Sequence, residues 1–306
     1  MSKIRDYVSL GIVHFMMYPR SLSDDRYMVS TLRELTQDPY FDFVEIKGVD
    51  EPVLVKELQT VVQSTHMETK FCAHPRIFSQ SLDPNSINEE VRKQGVNGIK
   101  KAIDEAISLG IKEIGLPSGP MVADPADEIR AIAQLKKSLV ELCNYAKPFG
   151  AYLYLEPFDT DIDKCRLIGN TDVAAEVAAD VMTQCDNFNL MVDLSHIPLL
   201  QENIEDCIHT LASYIGHAHI GNCYMKDEDN PAYGDRHPPY DYPGTEIGED
   251  EICRYLEALI KVGYINKKEK RSSLAFEIMP VDPDESALAL ANAKQTLDKA
   301  WKRINY

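Results

Sequence analysis

Four residues of this chain carry the donors that a divalent cation and an acid–base reaction need: Glu156, Asp193, His219 and Glu277. They stand in the stretches YLEPF, VDLSH, GHAHIG and AFEIMP, each following an apolar run. Singly, each has an ordinary structural role. Glu156 could cap a loop, Asp193 could accept backbone N–H groups, His219 could bond a core carbonyl, and Glu277 could pair with an arginine. Together they pose an electrostatic problem. Three carboxylates meeting in a dry cavity repel one another strongly unless a cation neutralises them. The ends of these four runs hold no lysine or arginine; Lys47 and Arg236 lie elsewhere. One divalent ion is the simpler neutraliser. Three carboxylates and one imidazole suit Mn²⁺ first, with Mg²⁺, Co²⁺ or Zn²⁺ as alternatives.

An ion that grips two adjacent substrate oxygens polarises a carbonyl as a Lewis acid. The neighbouring C–H becomes acidic, and a nearby glutamate can remove its proton to leave an enediolate. Return of the proton to the adjacent carbon isomerises the substrate, and return from the other face epimerises it. Departure of a β substituent gives elimination. The four residues leave all three outcomes open.

More histidines gather near these positions than packing alone explains. Five of the eight, His14, His74, His196, His217 and His219, fall at the ends of apolar runs. His196, three residues past Asp193, is expected at the mouth of the site, within reach of a substrate hydroxyl. His74 and His14 are expected to touch substrate as well. His217 faces inward one layer below His219, where it orients a ligand or takes part in catalysis. A sixth, His237, stands beside Arg236 in the long stretch NPAYGDRHPPYDYPGTEIGED. Its tyrosines, prolines and Arg236-His237 pair are expected to close over substrate as a lid.

Eight elements must bring these groups together. The apolar runs are 7–15, 41–47, 70–74, 113–117, 151–158, 189–196, 215–222 and 273–280, each short and ending in polar, Pro or Gly residues. That is how buried parallel strands read. Amphipathic helices separate them. Asp124-Pro125 starts one, whose face is expected to hold Ile129, Ile132, Leu135, Leu139 and Leu142, with Gly150 closing it. Ile252, Tyr255, Leu256, Leu259 and Ile260 share the face of another, as do Leu290, Ala293, Leu297 and Trp301. A further helix around 96–107 stops at Gly110. Strand–helix alternation repeated eight times means a parallel sheet, and the count favours an α/β fold of the closed (β/α)8 TIM-barrel type, one domain over 1–306. No GxGxxG follows the first strand, so a dinucleotide-binding sheet lacks its fingerprint. The connection after the seventh strand, about 27 residues over 223–249, exceeds ordinary loop lengths. In such barrels the chemistry sits at the C-terminal ends of the strands, where these residues lie.

Composition sets the outer limits. Of 306 residues, 44% are hydrophobic, enough for a large core, and the net charge of −17 repels nucleic-acid backbones. No apolar stretch approaches membrane-spanning length, and the opening MSKIRDYVSLGIVHF carries no secretory pattern, so a cytoplasmic location is expected. The seven cysteines are scattered without a CxxC pair and are expected to be reduced thiols, mostly buried.

The ordered motifs L-E-P-F, V-D-x-x-H, H-x-H-x-G and F-E-I resemble those of the xylose-isomerase-like barrel superfamily of sugar isomerases and epimerases, across essentially the whole chain. The resemblance to ketose 3-epimerases and hydroxypyruvate isomerases implies that Glu156, Asp193, His219 and Glu277 hold the metal. It implies that Glu156 and Glu277 move the proton on opposite faces of the sugar and that His196 binds substrate. Such epimerases carry an arginine shortly after the ligand histidine, where this chain has Lys226; its nearest arginine is Arg236, in the enlarged loop. The enlarged loop also suits a lyase on the same scaffold, a dehydratase or an enzyme cleaving C-glycosides of oxidised sugars, whose relatives act with a small partner subunit. Self-association is common among such barrels. A related abasic-site endonuclease, with several zinc ions, is disfavoured by the acidic charge, and a non-catalytic binding protein would hold no metal.

Overall fold

A computed structural model describes residues 3–267 and 271–304. Eight strands run β1 Val8–Val13, β2 Phe43–Ile46, β3 Glu68–Cys72, β4 Glu113–Pro117, β5 Tyr152–Glu156, β6 Phe188–Asp193, β7 Ile215–Gly221 and β8 Ser272–Glu277. They form a closed barrel in that order, the (β/α)8 class that the alternation predicts. The helices between them are α1 Asp25–Leu35, α2 Pro52–Ser64, α3 Glu89–Ser108, α4 Glu128–Ala146, α5 Thr171–Met182, α6 Ile204–Leu211, α7 Glu249–Lys261 and α8 Ser286–Arg303.

The chain packs as two compact units, Met1–Val44 with His66–Glu68 and Val192–Tyr306, and Glu45–Thr65 with Thr69–Met191. In the first, β8 pairs in parallel with β1 and with β7, where His219 lies opposite Ala275 and Gly221 opposite Glu277. In the second, β3, β4, β5 and the start of β6 pair in parallel, with Pro117 opposite Glu156. Strand interiors such as Leu10, Ile12, Ile114, Leu153, Leu155 and Leu190 are fully buried, as expected of strands covered on both faces.

Asx caps start several helices. Asp24, Asn88, Asn170 and Asn203 each accept backbone N–H bonds from the first turns of α1, α3, α5 and α6, satisfying donors that have no partner within the helix. Gly110 and Gly150 take φ of +82° and +66° after their helices, a conformation glycine adopts without strain.

Two sequence expectations are corrected here. Asp124-Pro125 caps a 3-10 turn, and α4 begins only at Glu128. Ile129 therefore lies in the first turn off the apolar stripe and is 83% exposed; Ala131, Leu135, Ser138, Leu139 and Leu142 form the buried face. The strands are also shorter than the apolar runs. His14, His74 and His196 do not end strands but open short helical turns, His14–Met17, His74–Ser79 and His196–Leu199. The chain leaves these strands straight into helical backbone, and Pro75 sits in the first turn after His74, where a missing N–H costs nothing.

All seven cysteines are free, and all but Cys165 are buried. Among the described residues no helix is long and apolar enough to cross a membrane.

Candidate active site

Asp193 is the last residue of β6 and is 1% exposed. Its Oδ1 accepts from Ser195 N at 3.1 Å and from Gly221 N at 2.8 Å, and its Oδ2 accepts from the Ser195 hydroxyl. Gly221 is required by closeness: a Cβ there would lie 2.5 and 2.7 Å from the two Asp193 oxygens. This explains the glycine of H-x-H-x-G. The polar groups of a sharp βα junction hold the carboxylate with one face turned to the histidines.

Two histidines face it, one from the turn after β6 and one from the loop after β7. His196 Nε2 lies 3.8 Å and His237 Nδ1 3.7 Å from Asp193 Oδ2. The ligand atoms of Asp193, His196 and His237 all fall within 4.8 Å of one another, a spacing that suits a metal ion. Asp235 Oδ1 faces both rings, 2.9 Å from His237 Nε2 and 3.3 Å from His196 Nε2. On β7 and β8, His219 Nδ1 approaches Glu277 Oε2 to 2.6 Å, and His237 Nε2 stands 4.0 Å from Glu277 Oε1. His237 thus lies between Asp193 and Glu277, two of the residues singled out as metal ligands. Burial alone would lower its pKa, but the Asp235, Glu277 and Asp193 carboxylates outweigh this and lift it to about 9. His237 also has φ +50°, rare for a side chain other than glycine, and its carbonyl accepts from Met279 N at 2.6 Å, just past β8.

His217 sits one layer below His219, as the strand alternation predicts. Its ring is 4.8 Å from that of His219 and its Nδ1 is 2.5 Å from Ser273 Oγ. His14 has its Nε2 3.0 Å from Thr31 Oγ1 and its ring stacked on Tyr18. The Thr31 hydroxyl donates to Tyr27 O, so His14 Nε2 carries the proton and donates to threonine.

In the second compact unit, Glu156 ends β5 and is 2% exposed. His74 Nε2 lies 3.0 Å from its Oε2. The His74 ring stands beside Phe158 and Phe78, and Gly115 on β4 leaves it room: a Cβ there would lie 3.2 Å from His74 Cε1.

The long connection after β7 is a packed structure over much of its length. Tyr224 and Gly234 form an antiparallel bridge, Tyr240 donates to Ile220 O at 2.6 Å, and Asn222 Oδ1 accepts from Cys223 N and Ile247 N. Asp235, His237 and Tyr240 are buried, whereas Arg236 is exposed. Sequence reasoning singled out Arg236 and His237 and passed over Asp235. The available signal was only an acid two residues before a histidine, D-R-H; the left-handed backbone at His237, which the sequence does not announce, brings the two side chains together.

The family model of the xylose isomerase-like TIM barrel matches residues 36–265. Among solved structures, L-ribulose 3-epimerase is similar at 20% identity and TM-score 0.71, covering 96% of both chains. A D-tagatose 3-epimerase-like protein gives 19% and 0.69, covering 96% of this chain and 99% of its own. The IOLI protein with a bound zinc atom gives 18% and 0.70, covering 97% and 100%. A comparison with curated proteins gives no match. The structural likenesses are too low in identity to carry more than the fold; the family match spans three quarters of the sequence. This chain belongs to the xylose isomerase-like TIM barrel family.

Proposed function

We propose that this protein is a divalent-metal-dependent enzyme that isomerises or epimerises a small sugar by moving a proton next to a carbonyl. Glu156, Asp193, His219 and Glu277 are its metal ligands, from the ends of four strands consecutive in the barrel order. The observation that carries this reading is the pair His219–Glu277. Glu277 Oε2 comes within 2.6 Å of His219 Nδ1 yet accepts no hydrogen bond among the described residues. Donor atoms that face one another without bonding are arranged as ligands are around a shared ion. Asp193, fixed through Gly221 and Ser195, supplies a second carboxylate, and the donor chemistry fits a hard to borderline cation, Mn²⁺ first.

A divalent ion held there supplies Lewis-acid polarisation of a substrate carbonyl. Glu156 and Glu277 act as the base and acid that take a proton from the adjacent carbon and return it. His74, whose Nε2 faces Glu156 Oε2 at 3.0 Å, contacts the substrate beside it. His196 orients a substrate hydroxyl, and Asp235 Oδ1 faces His196 and His237 at 3.3 and 2.9 Å. The same reading takes residues 1–306 as one working domain, in the cytoplasm, acting on a sugar and not on nucleic acid. Structural neighbours that include a D-psicose 3-epimerase with D-tagatose, an L-ribulose 3-epimerase and a 3-keto-D-glucoside 4-epimerase support the substrate class.

The test is elemental analysis of the purified protein, chelation, and re-addition of Mn²⁺, Mg²⁺, Co²⁺ or Zn²⁺ before incubation with a panel of ketoses in D₂O. Chelation should abolish turnover, Mn²⁺ should restore it best, and deuterium should enter at a carbon next to the carbonyl. Undiminished turnover after verified metal removal would sink the proposal. Release of water or of an aglycone without an epimer would move the chain to the elimination branch.

A further inference from the structure

We propose that Arg166 is the specificity residue of this site and selects sugars that carry a carboxylate or a phosphate. The inference deepens the proposed function and rests on it for the sugar. Arg166 follows β5 in the loop that begins just past Glu156. Its guanidinium lies over the Phe78 ring, 4.6 Å from the centroid. Phe78 is 6.0 Å from Phe158 and 6.2 Å from His74, and His74 reaches Glu156 at 3.0 Å. Two ring steps therefore separate the cation from a carboxylate of the reaction centre, a span that the length of a sugar can bridge.

The backbone around Arg166 is unusually well fixed. Arg166 N donates to Asp159 O at 2.9 Å, Met121 N to Cys165 O at 2.8 Å, and Leu167 N to Gly119 O at 3.1 Å. Asp159, fully buried, gathers the backbone N–H groups of Ile162, Asp163, Lys164 and Cys165. Cys165 takes φ +48°, a strained setting that aims the residue after it.

Yet the side chain so placed has little to bind within the protein. Its Nε is buried and makes no hydrogen bond, and no carboxylate forms an ion pair with it among the described residues. The nearest acids are engaged elsewhere: Asp159 by the four N–H groups, Asp83 by Asn85 N at 3.1 Å. Burial lowers the Arg166 pKa, and the carboxylates of Asp159 and Asp83 only partly offset that. A half-desolvated guanidinium with no paired anion is costly to keep. Contact with Phe78 alone recovers a small part. A planar fork of N–H donors matches a carboxylate or phosphate with two parallel bonds, which a neutral hydroxyl cannot equal.

The experiment is calorimetric titration of the Mn²⁺-loaded protein with D-fructose, D-fructuronate and D-fructose 6-phosphate, for the wild type, Arg166→Gln and Arg166→Lys. At least one acidic sugar should bind roughly tenfold or more tighter than D-fructose, and the stronger of the two identifies the anion. Arg166→Gln should bring that sugar down to the D-fructose level while leaving the D-fructose and Mn²⁺ affinities unchanged, and Arg166→Lys should restore part of the preference. A purely packing role would lower the unfolding temperature and leave the ratio between acidic and neutral sugars untouched. No preference for either acidic sugar in the wild type overturns the assignment, as does a preference that survives in Arg166→Gln. Mn²⁺ titration of the same samples separates the two readings. Failure to bind Mn²⁺ with charge selectivity intact removes the metal proposal and keeps Arg166; the reverse removes Arg166 and keeps the metal.

Discussion

Replacing Gly221 by alanine is expected to unseat Asp193 and weaken metal binding. The new Cβ would sit 2.5 and 2.7 Å from the carboxylate oxygens and 2.7 Å from Ser195 Oγ, whereas ordinary contact needs about 3.4 Å or more. Something must move by close to an ångström, and overpacking of this kind costs roughly 1–3 kcal/mol when the fold absorbs it. The carboxylate is the softer partner, yet retreat loses its bonds from Gly221 N and Ser195, each worth about 0.5–1.5 kcal/mol. A ligand position tolerates only about 0.2 Å. Either route misplaces Asp193, and disturbances to the support of a ligand typically cost about 10–100-fold in metal affinity. The assay is Mn²⁺ calorimetry beside thermal unfolding of the metal-free protein, with His219→Ala as the reference for a lost ligand. A Gly221→Ala protein that binds Mn²⁺ as tightly as the wild type would show that Asp193 is not a ligand.

Glu277→Gln should purify with sharply less metal than the wild type and exchange no deuterium into a ketose, since an amide neither neutralises the ion nor accepts the proton; elemental analysis and NMR read both. Gly115→Ala places a Cβ 2.7 Å from Met191 Cε and 3.2 Å from His74 Cε1, and because both contacts are side-chain ends it should lower stability by only about 1–2 kcal/mol in urea unfolding. Asp42 gives a pH signature. Burial opposes its ionisation, but Arg5, with Leu10 N and Arg271, overrides that and holds its pKa below the ordinary value. A depressed carboxylate contributes stability that is fully present above its unfolded pKa, about 3.9, and is lost as pH falls through its lower folded pKa. Asp42→Asn should therefore be less stable than the wild type at pH 7, with the gap closing below about pH 4; a gap that stays constant with pH would exclude the pairing as its cause.

The barrel was legible because its signals are local and repeated. Leu153 and Leu155, or Leu190 and Val192, need only adjacent sequence to read as buried strand, and Asn88, Asn170 and Asn203 announce helix starts in one residue each. Boundaries were less legible. Whether His74 ends a strand or opens a turn depends on where the backbone leaves the sheet, which neighbouring strands decide. Ile129 failed for a related reason: α4 could be phased from Asp124 or from Glu128, and only the intervening 3-10 turn, too short to leave a periodic trace, selects the second. The His219–Glu277 approach was legible in kind, because strand order alone puts the ends of β7 and β8 side by side.

The loop after β7 was the least readable region, and the reason is chemical. Asp235 gains its role from two imidazoles, His237 two residues away and His196 on the turn after β6. No periodicity links residues 196 and 235. The tyrosines and prolines suggested a lid that swings over substrate, but Tyr240 is tied to Ile220 O, His237 O to Met279 N, and Asn222 Oδ1 to Ile247 N. A segment tied to the strand ends beneath it by these bonds must break them to open. The buried stretch around 235–240 therefore behaves as part of the wall of the site, and movement is left to the exposed residues 226–229 and 243–244. Under the proposed function, a segment held in this way is in place before substrate arrives, and substrate choice rests on the groups already built into it.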